Sequence, residues 1–179
     1  LLLRTASLDP DGGTGGDAPC PVDFVPVQTG RRFEEEHRLD DGTLVYLRHI
    51  RKTDAEELRE RFELLSPESR YRRFFHSVGQ LSDDMVRYLC DVDGKDHVAI
   101  VAAELSPDYV HEEGIGIARF VRLPKEPTVA EMAVTVLDDY QGRGVGRILL
   151  DALTRAALER GIEAFRAEVL VVNAPMNAL

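Results

Sequence analysis

Six residues, Gln141-Gly142-Arg143-Gly144-Val145-Gly146, stand between an apolar run, Met132 to Leu137, and an amphipathic stretch from about Val145 to Arg160. A strand, a glycine turn and a helix in that order aim several backbone N–H groups at one point. The helix N-terminus adds partial positive charge there. Glycines let a ligand approach the main chain with no Cβ in the way. The chemistry such a turn supports is the binding of a phosphate or pyrophosphate.

The elements that must position this turn can be read from the rest of the chain. Leu44 to Ile50 alternates as a strand, and Asp41-Gly42 before it is a turn signal. Thr53-Asp54-Ala55-Glu56 has the pattern of a capping box and opens a helix to about Leu65. Ser66-Pro67-Glu68 starts a second helix, whose continuation Arg70-Tyr71-Arg72-Arg73-Phe74-Phe75-His76 is basic and aromatic. Arg70, Arg72, Arg73 and His76 could touch a ligand phosphate or an acidic substrate, but as a charge run they read first as a solvated face, with Tyr71, Phe74 and Phe75 packed inward. Ser82-Asp83-Asp84 caps a third helix, to about Cys90, and Asp91 to Asp96 is a turn. His97 to Glu104 is almost wholly apolar, which predicts a central strand. Gly114 to Val121 is a third strand, Thr128 to Leu137 a fourth and Ala164 to Val172 a fifth. Strands two to four are joined by short loops and form an antiparallel meander. Strand four, the long helix and strand five form a crossover that favours parallel pairing. The fold class is therefore α/β (α+β), with a mixed, mostly antiparallel sheet flanked by helices. Residues 1–40, rich in glycine, proline and aspartate, read as a flexible tail. Residues 41–179 form the domain.

Bulk properties limit the function. The chain has 179 residues, a net charge of −10 and 44% apolar residues, which is one domain with a real core. The acidic balance argues against nucleic acid or an anionic membrane as partner. Cys20 and Cys90 have neither metal-type spacing nor the density of a disulfide framework, so a reducing cytoplasm is the expected location. No run reaches membrane-spanning length. The five histidines lack metal-ligand spacing, and no metal is expected.

Three phosphate ligands compete for the turn. A dinucleotide fingerprint requires G-x-G-x-x-G, but counting from Gly144 and Gly146 puts Leu149 at the third glycine. A triphosphatase loop requires G-K-[ST], but Arg147-Ile148 follows Gly146. The third ligand is an acyl-CoA, and here the residues resemble a known family. Gln141-Gly142-Arg143-Gly144-Val145-Gly146 resembles the Q/R-x-x-G-x-G/A motif of the GNAT N-acetyltransferase superfamily. Val171-Val172-Asn173-Ala174-Pro175-Met176 resembles its strand-to-helix step. Leu65 to Phe75 and Ala130-Glu131-Met132-Ala133-Val134 are similar to protein lysine acetyltransferases of the Pat type.

The resemblance implies acetyl-CoA as co-substrate and direct transfer of the acetyl group to an amine. The acceptor would be a protein lysine, such as one on an acyl-CoA synthetase, with a small-molecule amine acceptor or a non-catalytic CoA-binding regulatory domain as alternatives. It implies pyrophosphate contacts from Gly142, Arg143, Gly144, Val145, Gly146 and Arg147 beside Gln141. It implies pantetheine pairing along Val134, Thr135 and Val136, and a cofactor contact from Asn173, whose other role is a helix cap. It also implies a V-shaped splay between strands four and five, and a homodimer is among the expected states. Transfer needs a neutral amine, so a group must accept a proton. Glu131, flanked by Ala130 and Met132, matches the Pat-type base, and a carboxylate among small and apolar residues can have a raised pKa. Glu168 matches the base of other branches. Each could instead be a solvated strand-face carboxylate. The family's last strands and general-acid tyrosine would fall beyond Leu179, so the fifth strand is expected either to have an open edge or to be covered by residues past that point, by another segment or by another subunit.

Overall fold

The computed structural model describes residues 2–7, 34–74, 78–106 and 108–169, and its frame is a seven-stranded sheet. The strands are β1 (Leu2–Ser7), β2 (Glu34–Arg38), β3 (Leu44–His49), β4 (His97–Leu105), β5 (Glu112–Leu123), β6 (Glu126–Val136) and β7 (Ala164–Val169). Their order across the sheet is β1-β7-β6-β5-β4-β3-β2. Every pairing is antiparallel except β6 with β7, the two ends of the crossover. β4 is buried on both faces over its first seven residues, as its continuous apolar run requires.

Among the described residues four α-helices cover the sheet: α1 (Ala55–Leu64), α2 (Pro67–Phe74), α3 (Asp83–Cys90) and α4 (Val145–Leu158). α4 presents Val145, Leu149, Ala152, Leu153 and Ala156 to one face, where they meet Val98, Ile100, Phe120 and Met132. On the other face Phe62, Leu65, Val86 and Leu89 pack on Ile50, Ala99 and Val101. The alternation of β6 divides between these layers, with Ala130, Met132, Val134 and Val136 toward α4. No helix of the described residues is long and apolar enough to cross a membrane.

Local chemistry sets the helix starts, once by a different route from the one expected. Ser82 accepts from the Met85 N–H at 3.3 Å, and Ser66 accepts from the Ser69 N–H at 3.1 Å. The Thr53/Glu56 capping box does not form. A 3-10 turn, Lys52–Asp54, precedes α1 instead, and Asp54 bonds back to the Arg51 N–H at 2.7 Å. Asp54 is held in that role by Arg48, a partner the local pattern does not reveal. Asp93 accepts from the N–H groups of Lys95, Asp96 and His97, each at 2.8 Å, which makes the segment before β4 a side-chain-closed turn.

Two strands lie within residues 1–40. β2 reads Glu-Glu-Glu-His-Arg and has no apolar alternation to betray it; it joins by backbone pairing to β3 and by Glu35 to Arg155 of α4 at 2.6 Å. β1 pairs along the outer side of β7, from Leu2 opposite Val169 to Ser7 opposite Ala164. Of the expected alternatives for the outer edge of β7, cover by another segment is the one present, and the segment is β1.

Candidate functional site

The glycine turn lies where the sequence puts it, between a 3-10 turn (Asp138–Tyr140) and α4. Gly142 and Gly144 have φ of 74° and 90°, in the left-handed region, and Gly144 is the N-cap of α4. A Cβ on either would meet nothing within 4 Å, so what demands glycine is the backbone angle, and the space beside the turn is open to a ligand. The Arg147 and Ile148 N–H groups already bond to the Gly144 carbonyl at 3.0 and 3.2 Å. The earlier N–H groups lie ahead of the helical ladder and have no acceptor within it. Val145 is fully buried and offers only its backbone, while Arg147 is exposed on the first turn of α4.

Side chains around the turn brace it. Arg143 forks onto Asp41 at 2.6 Å and Thr43 at 2.7 Å, with its guanidinium 4.7 Å from the Tyr140 ring centre. Its side chain thus ties the turn to the β2–β3 hairpin and leaves its N–H for a ligand. Hydrogen bonds from the Thr43 side chain and N–H, then from Arg143, pull the Asp41 pKa down to about 2. The Tyr140 hydroxyl donates to Glu104, and that bond together with burial pushes the phenol pKa up to about 12. Gln141 donates to the Val136 carbonyl at 3.1 Å. Asp138 accepts from the Ser66 N–H at 2.9 Å and the Ser69 hydroxyl at 2.7 Å, which fastens α2 to the turn. Burial works to raise the Asp138 pKa, but these bonds hold it below the usual carboxylate range.

Among the described residues β6 and β7 pair over three positions, Val129–Glu131 against Ala164–Arg166. Beyond them β6 continues to Val136 with β5 as its partner. Val134, Thr135 and Val136 lie opposite Ala118, Ile117 and Gly116 and are half-buried. The expected splay is present, and the β6 edge, unpaired on this side among the described residues, leads into the glycine turn. Alternate N–H and C=O groups along that edge are available to an extended ligand.

Glu131 sits at the last paired position, opposite Val121 and Arg166, and is exposed. Its neighbours Ala130 and Met132 face α4, which sends Glu131 to the α1–α3 side. Glu168 lies in β7 opposite Leu3, beyond the paired stretch. The structure thus places Glu131 on β6 at the point where the pairing with β7 ends, on the strand whose far end leads into the turn. Asn173 lies outside the described residues.

A cavity on the α1–α3 side borders the same strand end, at Thr135 and Leu137. Its walls are mainly apolar, but Arg48, Arg61, Arg73 and Arg119 all reach it. Arg48 is 2% exposed and bonds Asp54 at 2.7 Å and Glu112 at 3.0 Å. Arg61 pairs with Glu113 at 3.4 Å. Arg119 is 6% exposed and donates to His97 Nε2 at 3.3 Å and to the Leu89 carbonyl at 3.2 Å. Burial first, and the Arg73 charge second, push its pKa down to about 10. Burial likewise lowers the pKa of Arg73, against the pull of Glu131.

Sequence reasoning missed Arg48 and Arg119. The signal was a charged residue in an apolar strand, Leu47-Arg48 and Ile117-Ala118-Arg119-Phe120. It set Arg70, Arg72 and Arg73 together as surface. Arg70 is structural, bonding the carbonyls of Leu65, Gly79 and Glu63, and Arg72 pairs with Glu68. Arg73 instead lines the cavity. Tyr71 faces solvent, whereas Phe74 packs edge-on to Phe62 with ring centres 5.7 Å apart. Phe75 and His76 lie outside the described residues.

Known proteins share this arrangement. The profile of the acetyltransferase (GNAT) family matches residues 53–179. The acetyltransferase Pat of Mycolicibacterium smegmatis is 39% identical over 138 residues, which are 77% of this chain and 40% of that protein. The chain thus spans well under half the length of that relative. The crystal structure of the GNAT domain of S. lividans PAT superposes with a TM-score of 0.74 at 36% identity, covering 81% of this chain and 83% of that one. A cAMP-binding acyltransferase from Mycobacterium smegmatis superposes with a TM-score of 0.57 at 35% identity, covering 82% of this chain and 41% of that one.

Proposed function

The chain belongs to the GNAT family of acetyltransferases, and on that premise we propose that it moves an acetyl group from acetyl-CoA to an amine, with a protein lysine as acceptor. The observation that carries this reading is the free β6 edge running into the glycine turn. The Gly142, Arg143, Gly144, Val145 and Gly146 N–H groups suit a pyrophosphate, with Arg147 beside them as a cation. Val134, Thr135 and Val136 suit an extended amide-bearing arm, because an unpaired strand edge offers donors and acceptors at the right repeat. The co-substrate supplies an activated thioester. The chain's own part is to orient it, donate a β6 N–H to the oxygen that gains charge, and remove a proton from the amine.

Glu131 is the base in this reading. It is exposed at the mouth of the splay, where an acceptor amine can reach it, and its strand position is fixed by pairing on both sides. Glu168 is the second carboxylate to test, on the opposite side of the splay. The lysine acceptor rests on the Pat relatives, whose similarity covers this site. Purified chain with acetyl-CoA and a lysine peptide tests the reading. Glu131→Gln should lower kcat by about a hundredfold or more while acetyl-CoA affinity holds. Unchanged kcat in that variant, with loss in Glu168→Gln, would move the base to β7.

A further inference from the structure

Arg119 is buried at 6% exposure with no carboxylate paired to it among the described residues. A guanidinium carries five N–H donors and accepts nothing. Its bond to His97 Nε2 therefore makes that nitrogen the acceptor, so His97 is neutral and supplies no counter-charge. Its second bond goes to the Leu89 carbonyl, also neutral. The remaining donors are uncommitted among the described residues. A second guanidinium, that of Arg73, reaches the same cavity from α2. The carboxylate that attracts Arg73 is Glu131, which is exposed, whereas the groups that favour the Arg119 charge are the Tyr88 phenol and the Cys90 thiol, with no carboxylate beside them. Two like charges facing an apolar hollow cost stability unless an anion joins them.

We propose that the cavity beneath α1–α3 is a carboxylate-binding site, in which Arg119 and Arg73 receive the carboxylate end of a small, otherwise apolar ligand. A carboxylate matches the flat fork of a guanidinium with two parallel bonds. Phosphate fits less well. The cavity also holds Asp54 and Glu57, which repel a dianion more than a monoanion, and much of the remaining wall is hydrocarbon, from residues such as Ile50, Phe62 and Val101. The ligand is thus an amphipathic monocarboxylate. Because the cavity borders Thr135 and Leu137 at the end of β6, its carboxylate has two sources. It is either the far end of an acyl group delivered as a thioester, or a group on the amine acceptor. That second step rests on the acetyltransferase reading, whereas the binding site does not.

Calorimetric titration of sodium butyrate and of its neutral isostere butyramide tests the site. Wild type should bind butyrate on the order of tenfold or more tighter than butyramide, and Arg119→Met and Arg73→Gln should each erase that preference. Equal binding of the two probes, or an unchanged butyrate preference in Arg73→Gln, would overturn the site. Arg73→Gln also decides the matter should Arg119→Met fail to fold, because Arg73 is only half-buried on a helix. Competition then separates the sources. Displacement of butyrate by succinyl-CoA but not butyryl-CoA assigns the carboxylate to the acyl group, and displacement by γ-aminobutyrate but not butylamine assigns it to the acceptor. If neither competes, the link to group transfer is overturned while the carboxylate site stands. Absent acetyl-CoA turnover would sink the transferase reading and leave the butyrate result untouched.

Discussion

Arg48 on β3 and Arg119 on β5 are buried to nearly the same degree and line one cavity, yet their surroundings are opposite. Arg48 has Asp54 and Glu112 within hydrogen-bonding distance, and the two bonds with their charges raise its pKa despite burial. Arg119 has a neutral imidazole, a carbonyl and a second arginine, and its pKa falls to about 10. The difference separates structure from function. Arg48 closes a network that fastens the start of α1 to β3 and β5, so its charge is consumed within the fold. Arg119 keeps its charge uncompensated, as a group aimed at something outside the chain does.

The largest test of this contrast is to remove each charge. Arg48→Met strands Asp54 and Glu112 without their partner and should cost about 3 kcal/mol or more in urea unfolding. Arg119→Met removes a destabilised charge and two modest hydrogen bonds, and should change stability by less than about 1 kcal/mol. Equal losses would mean that Arg119 is as structural as Arg48.

A smaller effect should appear with pH. Burial and the Arg119 charge lower the His97 pKa below its ordinary 6.5. The unfolded chain therefore takes up a proton before the folded one as pH falls. The stabilisation is complete above the unfolded value and drains away as pH drops from there toward the folded pKa. Unfolding midpoints should fall between about pH 7 and pH 5, and His97→Gln should flatten that slope. His49, lowered chiefly by burial, acts in the same direction and leaves a residual slope. A slope untouched in His97→Gln would show that the Arg119–His97 contact does not set the imidazole's charge.

The smallest effect belongs to a third arginine. Arg143 is paired with Asp41 at 2.6 Å, but Asp41 is exposed. Asp41→Asn should shift the melting midpoint slightly at low salt and not at high salt, because solvent and ions screen the pair. Its interest lies in the turn, since freeing Arg143 would let its side chain compete for the phosphate. Tighter acetyl-CoA binding in Asp41→Asn would confirm that the pair holds the guanidinium away.

Most of the framework was legible from local pattern. Glycine before a helix, serine at a cap, and an apolar run long enough for a doubly buried strand act over a few residues, so α1 to α4 and β3 to β7 could be placed by spacing alone. The turn at 141–146 was reachable for the same reason, and Glu131 was singled out through the resemblance of Ala130–Val134 to the Pat-type segment. β2 escaped because Glu34-Glu35-Glu36 carries no apolar alternation; its place depends on β3 and Arg155, distant in the chain. β1 escaped because a short leucine run has no meaning until β7 offers an edge.

The sequence by itself determined the order of strand, turn and helix, the glycines at 142, 144 and 146, and the family motif those carry. Backbone sterics and periodicity are local, and they survive translation into one dimension. Only the tertiary structure decided which arginine has a counter-ion. Arg48 meets Glu112 across 64 positions and Arg119 meets His97 across 22. Charge compensation depends on distance in space and on the exclusion of water, and neither is written in the order of residues. The turn shows where a phosphate would rest, but the reason to look for a carboxylate appears only where α2 and β5 bring the guanidinium groups of Arg73 and Arg119 to one hollow.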